Sequence, residues 1–377
     1  MKKAIGLAIV VLLAAVAATL GARTTDSSAA GVPCDGLPLG FMAPITGFVS
    51  FLGTEQLHWA QYSLDTFNKK NGTSFTLSQF DTQDLNPALA ALGATKLSAD
   101  KSVFGVVGPA GSQEVGAAGP VYKRAGMPFL SPSATAASLT SGKYPTFFRV
   151  VGGDNQQATG DALFMAKKLK AKKVFIVDDQ EAYSTGIANV AGNVLRSAGV
   201  QVQRESVSQK ATDFSSLVSK ISSDTDVVFL PWQVAANAQL FYRQMVEQGK
   251  TAKIFGSDGL DSGDFTAPGR YISTFARDIR GLKGTARVIR EYEDRYGKNW
   301  GTFGPPAYVS VQALLTAMNK SCKDKKSSRA EVLKNLKTTK LPNTILGLPV
   351  QFDRKGQNKS AKFYVYRITG SKKTLVG

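Results

Sequence analysis

Two short runs hold the residues best suited to chemistry: Gly108-Pro109-Ala110-Gly111-Ser112 and Ser131-Pro132-Ser133-Ala134-Thr135. Each follows a short apolar stretch, residues 103–107 and 127–130, that reads as a buried strand. Residues 112–125 between them have the length and composition of one crossover helix. Parallel strands joined by a right-handed crossover bring both loops to one sheet edge. In open α/β sheets ligands sit at that edge, outside the carboxyl ends of the strands. Hydroxyls and backbone N–H groups at helix starts favour an anion, so a carboxylate is the natural guest. The other reading is that Ser112 and Thr135 act only as helix N-caps. Two such loops on one edge favour a site.

Other chemistries lack their parts. His58 is the single histidine and falls among the core positions of a helix. A serine–histidine triad therefore lacks its base, and the familiar metal motifs lack ligands. No P-loop or GxGxxG run follows a strand. Asp178 and Asp179 are adjacent at a strand end, where neighbours point to opposite faces and cannot act as a carboxylate pair. The residues predict a binding protein, with no catalytic group, no cofactor and no metal.

The elements that must hold the two loops follow a strand–helix rhythm. Strands are expected over residues 37–44, 74–81, 103–107, 127–130 and 146–151, with helices over 55–69, 85–100 and 112–125. Asn86-Pro87 marks the start of the second helix, proline taking its preferred first turn. Gly152-Gly153-Asp154 breaks the pattern, and a domain crossing is expected there. A second series follows, with strands at 173–178, 201–207, 227–230, 253–256 and 271–275. Helices are expected at 155–169, 186–198, 214–222 and 235–248, with Asp213 capping the third. Three helices at 287–296, 308–319 and 329–336 cannot form a domain alone and are expected to pack on the first series. Strands at 349–352 and 363–368 close the chain.

The chain opens with two lysines, an apolar run and small residues, the pattern of a secretory signal peptide over residues 1–30. Export to the periplasm or the outer face of the cell membrane is expected. Cys34 follows Gly31-Val32-Pro33, which does not fit a lipid-anchoring box, so a freely soluble or wall-associated protein is favoured. In an exported chain Cys34 and Cys322 suggest one structural disulfide. The net charge of +18 falls to +16 without Lys2, Lys3, Arg23 and Asp26. Such a surplus would suit nucleic acid or an anionic envelope surface. The lysines are scattered, though, and the clusters at 167–173 and 323–326 are not interleaved with aromatics. A solvated surface is expected, and no nucleic-acid partner.

The segments VVGPAGS, GMPFLSPSATAASLT, FFRVVGGDNQQATGDAL, VFIVDDQEAYSTGIA, DFSSLVSKI and FGSDGL occur in that order and spacing. On them the chain, over about residues 37–368, resembles the periplasmic leucine/isoleucine/valine-binding proteins, type I solute receptors of ABC transporters. The resemblance implies an α/β fold of two doubly wound lobes joined by three crossings near 151–154, 277–280 and 360–363, with the ligand in the cleft between them. Residues 31–153 with 279–361 would form the first lobe, and 154–278 with 362–377 the second. The implied function is capture of a branched-chain or other apolar amino acid by hinge closure, as a monomer, for delivery to an ABC permease. A receptor of the same fold for an aromatic acid, an amide or urea, or a sensor without transport, is the alternative. By the same resemblance Ser112 binds the ligand carboxylate. Ser133, Ala134 and Thr135 grip carboxylate and ammonium, Tyr183 reaches over from the second lobe, and Asp258 faces the ammonium. Asp154 falls at the first crossing, placed to orient the hinge or bound water. The chain departs from the pattern in three places. Asp258 stands where glutamate is usual, Leu52 where an aromatic wall is common, and Pro231-Trp232-Gln233 replaces a glycine-rich strand end. The Trp232 indole either lines the cleft or packs in the core.

Overall fold

Short apolar runs buried on both faces alternate with helices along the chain; the computed structural model describes residues 32–298 and 301–377. The leader expected over residues 1–30 lies outside the described residues. The first series is β1 (Val32–Pro33), β2 (Pro38–Ala43), α1 (Ser50–Asn71), β3 (Thr76–Asp81), α2 (Pro87–Ala99), β4 (Val106–Val107), α3 (Ser112–Arg124), β5 (Phe129–Ser131) and β6 (Phe147–Arg149). Strands β2 to β6 form one parallel sheet in the order β3-β2-β4-β5-β6. Asn86 caps α2 as the sequence suggests, its Oδ1 accepting from the N–H groups of Ala88 and Leu89. Helix α1 starts five residues before the expected position. The reason is Gly53: a Cβ there would lie 2.0 Å from the Pro44 carbonyl oxygen, so a glycine lets the first turn press onto the end of β2.

The second series is α4 (Asp154–Leu163), β7 (Lys173–Asp178), α5 (Ala182–Ser197), β8 (Gln201–Ser206), α6 (Ser215–Ser219), β9 (Val227–Leu230), α7 (Ala235–Glu247), β10 (Lys253–Gly256) and β11 (Tyr271–Thr274). Helix α5 begins at Ala182, inside the stretch expected to be a loop: Glu181 is still extended, and its carbonyl accepts from the Thr185 N–H at 2.9 Å to close the first turn. The inner strands β7 and β9 are near-continuous apolar runs, as a parallel sheet covered on both faces requires, while β8 at the edge is polar and half-buried.

The last section contains α8 (Ala286–Tyr296), α9 (Gly304–Ser321), β12 (Lys326–Ser327), α10 (Arg329–Thr338), β13 (Lys340–Leu341), β14 (Val350–Gln351), β15 (Tyr364–Thr369) and β16 (Lys372–Leu375). Its helices pack on the first sheet, as expected: Leu314, Met318, Val332 and Leu336 share one core with Leu39, Phe41, Trp59 and Val107. Trp59 stacks on Tyr292 with centroids 4.1 Å apart, and His58 on Tyr296 at 4.5 Å. The closing strands divide. Residues 350–351 pair with β13 in a separate ribbon, whereas β15 joins β11 antiparallel and is followed by β16. The second sheet thus runs β16-β15-β11-β10-β9-β7-β8. Strand β16 escapes sequence reading because Lys372–Leu375 is polar and exposed, an edge without an apolar face. Cys34 and Cys322 form a disulfide with Cα atoms 5.8 Å apart, beside the β1–β12 pairing. No helix among the described residues is long and apolar enough to cross a membrane.

Candidate ligand-binding site

Strand order reverses between β2 and β4 in the first sheet and between β7 and β9 in the second. Loops at such switch points form ligand crevices. The loops after β4 and β5 carry Ser112 and Ser133–Thr135, and the segments after β7, β9 and β10 carry Tyr183, Gln233 and Asp258.

On the first sheet the two hydroxyl loops are tied to each other. Ser112 Oγ accepts from the Ala136 N–H at 3.0 Å, and no hydrogen bond donated by Ser112 is formed among the described residues. Ser133 Oγ donates to the Ala110 carbonyl and accepts from Gln56 Nε2, both at 2.8 Å. The Ala134 N–H is already given to Ser131 Oγ at 2.9 Å. Buried Arg149 braces the second loop from behind. Its Nη1 donates to the Ala136 carbonyl at 2.9 Å, its Nη2 to Thr140 Oγ1 at 3.0 Å and its Nε to Gln357 Oε1 at 2.6 Å.

Facing Thr135 is a cluster of three buried carboxylates: Asp154, Asp161 and Asp258. Asp258 Oδ1 accepts from Gln157 Nε2 at 2.6 Å and lies 2.8 Å from the Tyr183 hydroxyl, which is also 2.7 Å from Ser257 Oγ. Gln157 also donates to Ser273 Oγ, which donates to Asp161 Oδ2 at 2.9 Å. Asp154 is joined to the hydroxyl loop through its N–H, given to the Thr135 carbonyl at 2.8 Å. The Thr135 hydroxyl stands beside the Asp154 carboxylate and favours its ionised form, yet neither closes a well-directed hydrogen bond. Burial pushes the carboxyls of Asp154 and Asp258 up to about 7, with Asp258 adding repulsion at Asp154. Burial and the Asp258 charge raise Asp161 as well. Tyr183 is driven upward by burial and by Asp258. The arrangement is an anionic recess lacking a hydrogen-bonded cation among the described residues, set against loops rich in hydroxyls. Chemically it can receive an ammonium on one side and a carboxylate on the other.

The structure therefore brings Ser112, Ser133, Ala134, Thr135, Asp154, Tyr183 and Asp258 to one region. Tyr183 sits in the first turn of α5 rather than on a loop. Gln233 spans the two series: its Oε1 accepts from Gln113 Nε2 of α3 at 3.1 Å. Trp232 turns away. Its indole packs between Phe214 and Phe241, with centroids 5.3 and 5.5 Å distant, and its Nε1 donates to the Val177 carbonyl at 2.7 Å. Leu52 lies in the core around the first sheet. Sequence reading missed Gln56, Arg149, Gln157 and Asp161. For α4 a signal exists: Asp154, Gln157 and Asp161 follow i, i+3, i+7, a polar face at helical spacing that is buried and not exposed.

The chain matches the family model described as Periplasmic binding protein over residues 36–373. It is 27% identical, over 88% of its length and 90% of the relative's, to the "Leucine-, isoleucine-, valine-, threonine-, and alanine-binding protein" of Pseudomonas aeruginosa. Its fold is similar to that of a branched-chain amino acid transporter substrate-binding protein from Streptococcus pneumoniae, solved in complex with isoleucine. That likeness has a TM-score of 0.80 and 25% identity, covering 91% of this chain and 99% of the other. A leucine-binding protein from Thermotoga maritima gives 0.81 at 22% identity, covering 90% and 98%. Two parallel-rich sheets, loops converging at both switch points and a family match over nearly all described residues have one conclusion: the chain belongs to the periplasmic binding protein family.

Proposed function

We propose that this protein is the extracytoplasmic solute-binding component of an ABC importer, working in the periplasm or on the outer face of the cell membrane. It captures an α-amino acid, branched-chain or otherwise apolar, and presents it to a membrane permease as a monomer. The observation that carries this reading is the buried Asp154–Asp258–Tyr183 cluster set directly against the Thr135 loop. Burying a zwitterion is costly unless each charge finds partners, and this region offers partners of both signs. The ligand ammonium enters between Thr135, Asp154 and Asp258; the carboxylate takes the free proton of Ser112 and N–H groups of the second loop. The Ala134 N–H must then exchange Ser131 Oγ for the ligand.

In this reading the two sheets, with residues 31–153 and 279–361 on one side and 154–278 and 362–377 on the other, are lobes that close on the solute. Each lobe supplies part of the contacts, so the ligand stabilises the closed state by its greater affinity for it. The Gln113–Gln233 hydrogen bond belongs to that state. The test is calorimetry with leucine and with its deaminated analogue on the wild type and on Asp258→Asn. Leucine is expected to bind the wild type and to lose about 2–5 kcal/mol in the variant, roughly 30- to several-thousand-fold. Equal binding of leucine and the deaminated analogue by the wild type would remove the amino-acid reading in favour of a receptor for an organic acid.

A further inference from the structure

A cavity of about 450 Å³ opens beside α1, and none of Ser112, Thr135, Tyr183 or Asp258 lines it. Its walls are Phe51 and Glu55 of α1, the stretch from Asp261 to Arg270, residues 277–280 and the turn between β15 and β16. Several charges there are matched: Lys373 is paired with Asp261, and Arg280 with Asp278. Two guanidiniums form no ion pair among the described residues, although the Asp261 charge acts on Arg270 from nearby. Arg270 is only 7% exposed. It donates Nη1 to the Ala267 carbonyl at 3.1 Å and lies 5.3 Å from the Phe265 ring, but its Nε has no partner. Arg277, half-buried, forms no hydrogen bond or ion pair among the described residues. A donor on a buried cation left unmatched is costly unless something arrives to accept it.

The remaining acid on the wall does not oppose an anion. Glu55 Oε1 accepts from the N–H groups of Gly301 and Gly304 at 2.7 and 2.9 Å. Burial pushes its carboxyl up to about 8, which weakens its repulsion of an anion near neutral pH. We propose that this cavity is a second ligand site, taking a small oxyanion, carboxylate or phosphate, held by Arg270 and Arg277. Guanidinium groups present paired N–H donors that match the oxygens of both. Phe51, Glu55 and Thr302 come from the side of the first sheet, Arg270 and Lys373 from the second, so a bound anion favours the arrangement that brings them together. The site does not depend on which solute fills the switch-point crevice.

The test is calorimetry of the mature protein with succinate and, separately, inorganic phosphate, in a zwitterionic buffer. One equivalent of at least one anion is expected to bind, and the one that binds tells an organic carboxylate from free phosphate. Arg277→Gln is expected to weaken that binding at least tenfold while the melting temperature of the free protein stays within a few degrees. Arg277→Lys, which keeps the charge but loses the paired donors, is expected to fall between the two. Absence of binding by either anion at millimolar concentration, or binding that Arg277→Gln leaves unchanged, overturns the proposal.

Discussion

Asp154 and Asp258 repel one another in a recess that excludes water, and both hold their protons up to about 7, far above the ordinary aspartate value of 3.8. For a carboxyl raised by folding, the folded state keeps a proton that the unfolded chain has already released. Stability from these groups is therefore greatest below about pH 4 and declines as pH rises through 7. The melting temperature of ligand-free protein is expected to fall between pH 5 and 8, and Asp154→Asn should flatten that fall. An ammonium ligand reverses the preference, since it needs the carboxylates ionised. Amino-acid binding at pH 6 should accordingly release protons, about one per ligand. Titration in two buffers of different ionisation enthalpy counts them; proton uptake would contradict the placement of the ammonium at this cluster.

At the scale of elements, the turn that aims Asp258 depends on close backbone contact. A Cβ on Gly259 would lie 2.3 Å from the Trp232 carbonyl oxygen and 2.9 Å from Gln233 Cα, and a backbone cannot yield as a flexible side chain does. Gly259→Ala should thus leave the secondary structure intact by circular dichroism but weaken leucine binding by at least tenfold, by moving the Asp258 carboxylate. Wild-type affinity would show that the turn adjusts freely. This contact also explains the limits of reading the site from sequence. Ser112 and Thr135 are legible because polar residues stand at the ends of apolar runs, whereas Tyr183 and Asp258 are singled out only by the family resemblance. The direction of the Trp232 indole is not, since Phe214 and Phe241 reach it from elements 18 and 9 positions away. Gln56 is hidden for the opposite reason. With Ser63 it is a buried polar residue on a helix face that also carries Leu52, Trp59 and Ala60, and only the fold brings Ser133 to it. The parallel centres of the two sheets are legible because their inner strands, such as β7 and β9, are continuous apolar runs. Strand β14 lies within the expected strand 349–352, but its partner β13 and edge strand β16 are not legible, because so little of them is buried.

At the scale of the molecule, the staple between Cys34 and Cys322 joins positions 288 apart, while the chain ends in the second sheet at β16. That closure has a mechanical consequence. Tension applied ahead of Cys34 and at Gly377 passes through the sulfur–sulfur bond and then only along residues 323–377. The whole first sheet and most of the second stay off the load path, which runs through β12, α10, the β13–β14 ribbon, β15 and β16. The 55 residues after Cys322 can lengthen by at most roughly 190 Å when fully drawn out, at about 3.5 Å per residue. With the bond reduced, the 343 residues after Cys34 all bear force, and the same pull can extend the chain by roughly 1,200 Å. Optical-tweezer traces recorded with and without reductant should show these two contour lengths. An oxidised protein that pays out the longer one would mean the cysteines are not joined.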